Sequence, residues 1–100
     1  MASFRFLPQA EAELVEQIAY YAAIRPELGA RFQQAVDTAV RKATENPGHG
    51  APRTKNTRRR LVAGFPFGVI YAVRAGDILV IALADGRRRP EYWARRLDDA

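Results

Sequence analysis

The sequence predicts an α+β domain of order β-α-α-β-β-β, with a helical hairpin packed on a small antiparallel sheet. Two observations carry this. Within residues 65–96, two apolar runs flank Ala75-Gly76-Asp77, which is turn chemistry for a tight β-hairpin. Upstream, two stretches with apolar residues at helical spacing are separated only by Arg25-Pro26.

The elements follow in order. Phe4 and Phe6 alternate with Ser3 and Arg5 in a short strand that Pro8 ends. Pro8 suits the first turn of a helix, where its missing N–H costs nothing. Over 9–23, Ala10, Leu14, Ile18 and Tyr21 share one face, and Glu11, Glu13 and Glu16 sit where the helix dipole favours acids. A residue before proline is pushed out of the helical region, so Arg25 breaks the helix and Pro26 opens the next. Leu28, Phe32, Ala35, Val36, Ala39, Val40 and Ala43 form its apolar stripe, and Asn46-Pro47-Gly48 stops it. So short a break makes the helices an antiparallel hairpin. Residues 48–57 read as a loop, in which His49 is assigned no role. Residues 58–62 read as a strand, with Arg58 and Arg60 on one face and Arg59 and Leu61 on the other. Phe67, Val69, Tyr71 and Val73 alternate along the next strand. The run 78–84 is apolar on both faces and is placed centrally in the sheet. The first strand is expected to join this sheet, and the face away from the helices, or its rim, is left for arginines.

Length allows one domain over residues 1–100. The absence of cysteine excludes disulfides and thiolate metal sites. No charged segment followed by an apolar one begins the chain, and no apolar run approaches the ~20 residues that span a bilayer, so a soluble, cytoplasmic protein without a membrane partner is expected. Charge is uneven. Residues 1–52 hold five basic and six acidic side chains, a net of −1, whereas residues 53–100 hold eleven and five, a net of +6. Fourteen of the sixteen basic residues are Arg, whose fork fits phosphate and carboxylate. The C-terminal half is therefore expected to face a polyanion or an acidic protein.

Acid–base chemistry is sparse. Asp77 and Asp85 lie in turns, and no nucleophile–histidine pair, phosphate loop or metal-ligand spacing occurs. No metal or cofactor is expected. Two basic clusters stand out: Arg58-Arg59-Arg60, and Arg87-Arg88-Arg89 with Arg95 and Arg96 beyond and Tyr92-Trp93 interleaved. Cations around aromatics suit stacking on nucleic acid. Trp93 reads first as an anchor that packs the tail on the sheet; the eight arginines exceed what solubility requires.

These residues carry a resemblance. The opening Ser3-Phe4-Arg5-Phe6-Leu7-Pro8-Gln9-Ala10-Glu11-Ala12-Glu13-Leu14, then Pro26-Glu27-Leu28-Gly29-Ala30-Arg31-Phe32 and Asn46-Pro47-Gly48, run in this order. Phe65-Pro66-Phe67 before Val69-Ile70-Tyr71 follows, and then Arg87-Arg88-Arg89-Pro90-Glu91-Tyr92-Trp93 with Arg95-Arg96. Together they resemble the RelE/ParE superfamily of type II toxin–antitoxin toxins nearly end to end. The ribosome-dependent RNA endonucleases of that superfamily place an Arg two residues before the third-strand Ile/Val-Tyr pair, where this chain has Gly68. The chain looks closer to the ParE and plasmid-stabilisation branch, although many tails there begin His-Gly and this one begins Asp85-Gly86.

The resemblance implies a toxin without covalent chemistry that binds DNA gyrase and is neutralised by a cognate antitoxin, in a possible hetero-oligomer. Its target-binding surface would be Arg87, Arg88, Arg89, Tyr92 and Trp93, with Arg58, Arg59 and Arg60 nearby and Arg95 and Arg96 beyond. One alternative is an mRNA endonuclease at the ribosome, with Arg60 and Arg87 on the scissile phosphate and Tyr92 as acid or base. Another is a non-toxic nucleic-acid-binding module.

Overall fold

A computed structural model describes residues 3–89 and 91–98. The chain forms β1 (Phe4–Phe6), α1 (Pro8–Ile24), α2 (Pro26–Glu45), β2 (Ala51–Arg53), β3 (Thr57–Leu61), β4 (Phe67–Arg74) and β5 (Asp77–Asp85), followed by a 3-10 turn at Ala94–Leu97. Pro8 and Pro26 each open a helix. Arg25 is fully extended, at φ −156° and ψ 136°, and serves both as the last cap of α1 and the first of α2. One residue thus reverses the chain. The helices then approach so closely that a Cβ on Gly29 would lie 2.7 Å from that of Ala22, so only glycine fits at this crossing.

The strands form one sheet in the order β1-β5-β4-β3-β2. The α+β class and the helical hairpin hold. Two details differ from the sequence reading. The sheet is mixed, because β1 pairs with β5 in parallel while the other pairs are antiparallel. A three-residue strand has too few alternations to reveal its direction, which is set by where the hairpin delivers the chain. The segment read as a loop contains β2, whose three residues are all exposed and include Pro52. Proline is tolerated on an edge strand, where its missing N–H breaks no ladder bond.

The helices cover one face. Phe32, Val36, Ala39, Val40 and Ala43 of α2 are buried against Phe67, Val69 and Leu83 of the sheet, and Ala10, Leu14, Ile18 and Tyr21 of α1 pack beside them. Phe32 meets Tyr21, Phe65 and Phe67 with ring centroids 4.9–5.4 Å apart, in the tilted and edge-on contacts aromatic pairs prefer. The Tyr71 hydroxyl, fully buried, donates to the Pro47 carbonyl at 2.7 Å and accepts from the Gly50 N–H at 3.2 Å. It ties the end of α2 to the sheet.

β5 is buried from Ile78 to Leu83, because sheet neighbours flank it, helices lie on one face and the C-terminal tail lies on the other. Between Ile70↔Ala82 and Tyr71↔Val80 a bulge leaves Ile81 without an opposite number. The tail's hold on the open face is Trp93, only 2 % exposed. Among the described residues, no helix is long and apolar enough to cross a membrane.

Candidate functional site

β1 pairs with β5 only through Val80, so the edge of β5 beyond it lacks a strand. Side chains take the strand's place. Glu13, one turn into α1, accepts the Leu83 N–H at 3.2 Å. Arg96 donates to the Ile81 carbonyl at 3.1 Å, and the Tyr92 hydroxyl lies 3.3 Å from the Leu83 carbonyl. The same Glu13 carboxylate receives a two-pronged Arg96 fork at 2.8 and 3.0 Å and the Tyr92 hydroxyl at 2.5 Å. Arg88 stands 3.4 Å from it and lies over the Tyr92 ring, 3.8 Å from the centroid. Glu13 is thus the hub that fastens the basic tail to the helical hairpin. In the sequence it looked like one of three ordinary acids near a helix N-terminus. Its partners lie 70 to 83 residues away, and no local signal marks it.

The expected site residues divide into those pinned by structure and those left free. Arg87 forks onto Asp85 at 3.0 and 3.2 Å, and this hydrogen bond holds the Asp85 carboxyl below its usual range. Arg96 and Tyr92 are consumed by Glu13, and Trp93 is in the core. Arg95 and Arg89 are exposed. The triplet on β3 splits, as strand alternation requires. Arg58 donates to the Gly50 carbonyl at 2.7 Å, Arg60 turns toward α2, and only Arg59 stands on the open face, opposite Ile70.

That open face carries a shallow cleft of about 160 Å³, floored by Ile70, Ala84 and Trp93 and ringed by Arg53, Arg59, Arg88 and Arg89, with Glu91 on its rim. Arg53 was missed because its strand was. Gly68 acquires a physical role here: a Cβ at that position would collide with the Arg59 side chain, which lies flat across the glycine. The space over Gly68 is therefore filled by an Arg from the neighbouring strand. Tyr92 borders this cleft, and Arg60 and Arg87 do not line it. Pro90, part of the tail motif, lies outside the described residues.

Burial, and then the hydrogen bond and charge of Glu13, push the Tyr92 hydroxyl well above the ordinary tyrosine range. Its folded-state value exceeds the unfolded value of about 10. The neutral hydroxyl therefore stabilises the fold at every pH below that, and the contribution is lost as pH rises beyond it. Wild type should lose more stability between about pH 9 and about pH 11 than Tyr92→Phe does, as read by urea unfolding. Parallel curves would show that the hydroxyl is not held neutral.

Comparison with known proteins agrees with this architecture. The solved chromosomal ParDE toxin–antitoxin system from P. aeruginosa contains a chain with the same fold, at TM-score 0.73 and 20 % identity, over 85 % of this chain and 96 % of that one. No curated protein sequence matches significantly. Residues 4–90 match the family model of the ParE toxin of type II toxin–antitoxin systems, parDE. The chain belongs to the ParE toxin family.

Proposed function

We propose that the protein is the toxin of a type II pair, that it inhibits DNA gyrase by binding rather than by covalent chemistry, and that a cognate antitoxin neutralises it in the cytoplasm as a hetero-oligomer. Family membership supports the toxin role. The single observation that carries the binding mode is the cleft itself. It presents arginine forks from β2, β3 and the tail around an apolar floor. The hydroxyl beside it is committed to Glu13 and held protonated, which is a poor starting point for a general base. Guanidinium forks recognise carboxylates and phosphates alike, so the same surface suits an acidic groove of the enzyme or the DNA it holds.

The test is to induce the protein and map DNA breaks alongside messenger ends. Gyrase-linked breaks with intact transcripts are expected. Replacing Arg53, Arg88 and Arg89 together by Ala should abolish growth arrest while the circular-dichroism spectrum is retained, because Arg53 and Arg89 are exposed and Arg88 half-exposed. Codon-phased transcript cleavage without DNA breaks would overturn the gyrase reading in favour of an endonuclease.

A further inference from the structure

Three guanidiniums of the open-face cleft, those of Arg53, Arg59 and Arg89, form no ion pair among the described residues, and Arg88 is shared with Glu13. The two acids beside them give little relief, because Asp85 is forked by Arg87 and only Glu91 is left. At about 160 Å³ the cleft is smaller than the roughly 300 Å³ at which small-molecule sites begin. It suits a charged group projecting from a larger partner. Neither aromatic side chain beside it is a stacking platform: Trp93 is in the core, and the Tyr92 ring already carries Arg88. An unstacked base therefore finds no ring to lie on, which disfavours single strands. Three free forks around one shallow floor call for anions at close spacing. Carboxylates gathered that densely on a folded protein repel one another. A DNA duplex holds one phosphate per about 1.7 Å of its axis by covalent structure.

We propose that the cleft binds the phosphate backbone of duplex DNA directly, without reading its sequence, and that Gly68 positions Arg59 for this contact. The inference rests on the gyrase reading above and assigns the DNA, rather than the enzyme's protein surface, as the ligand of the cleft. Arg53 from β2, Arg59 from β3 and Arg89 from the tail bring their forks to phosphate oxygens. Gly68 sits inside β4 and has no positive φ that would demand glycine. Glycine in a strand interior weakens the strand and marks a close approach. Here the approach is that of Arg59, whose Cγ and Cδ would lie 2.9 and 3.1 Å from a Cβ on Gly68. The bare backbone of β4 lets that side chain lie down beside the cleft instead of standing away from it.

The test is fluorescence anisotropy of the full chain with a labelled DNA duplex of arbitrary sequence, over a series of salt concentrations. Three free forks give a plot of log affinity against log salt with a slope of about −3. Arg59→Ala should bring the slope to about −2 and weaken binding about tenfold at about 50 mM salt. Gly68→Ala changes no charge, yet it should weaken binding and flatten the slope in the same direction. The added methyl displaces only the flexible part of Arg59, so the circular-dichroism spectrum should be retained. Arg31→Ala removes the same charge from the exposed face of α2 and should leave the slope unchanged. Equal slopes for Arg59→Ala and Arg31→Ala, or tighter binding of single-stranded DNA or duplex RNA of the same length, would overturn the assignment. A wild-type slope in Gly68→Ala would overturn the positioning role. Gyrase-linked breaks from a chain that binds no duplex would overturn this inference and leave the gyrase reading standing. Duplex binding without such breaks would overturn the gyrase reading alone.

Discussion

Replacing Trp93 by Ala should lower the unfolding free energy by about 3–5 kcal/mol, the usual cost of truncating a buried tryptophan. Trp93 is 2 % exposed and sits with Ile70 and Ala84 on the face of the sheet that no helix covers. A chain of 100 residues has about 5–15 kcal/mol in all, so the loss is a large share of the total. In thermal terms it corresponds to a fall of more than about 12 °C, at about 4–8 °C per kcal/mol for a domain of this size. The collapse this site can offer is limited. Its floor is built from alanine and isoleucine fixed in the ladder, and only the tail can move to fill the void. Retention of the wild-type midpoint would mean that Trp93 contributes nothing to the fold and is free to touch a target.

That expectation was largely legible in the sequence, because a single large aromatic in a basic tail has few places to go but onto the sheet. The helices were legible too. Pro8 and Pro26 mark their first turns, and the stripe from Phe32 to Ala43 is buried as its spacing requires. The pleat of β3 correctly separated Arg59 from Arg58 and Arg60, although the three then read as one cluster. What stayed hidden depends on contacts distant in sequence. Three exposed residues with a proline carry no strand signal, so β2 and its Arg53 were read as loop. Glu13 sat among acids that the helix dipole already explained. Tyr92 and Arg96 looked like free surface because the carboxylate that binds them belongs to the other end of the chain. Charge counting places arginines in the C-terminal half; it does not say which guanidinium forks are already occupied.

Glu13 is the residue whose removal should do most to release the tail. Its carboxylate and Arg96 are only 15 % and 17 % exposed. Breaking a buried pair on one side leaves the other charge without compensation and costs about 3–5 kcal/mol. With about a sixth of each side chain still wet, the low end, about 3 kcal/mol, is expected for Glu13→Ala. The loss is not confined to Arg96. The Leu83 N–H loses its acceptor at the same moment and the Tyr92 hydroxyl keeps only the Leu83 carbonyl, and unpaired buried polar groups are costly. Glu13→Gln keeps the shape but not the charge, so it should fall between wild type and Ala. A cycle with Arg96→Met separates the pair from the hub: if the ion pair dominates, the double variant should recover part of the loss, because neither charge is then stranded. Trp93 is the only tryptophan, so its fluorescence reports the tail alone. Emission shifted to longer wavelength in Glu13→Ala, under conditions where the helical signal is intact, is the expected signature of a tail lifted from the sheet. Emission and helicity lost together in one transition would show instead that the tail and the hairpin unfold as a unit and that Glu13 stabilises the whole.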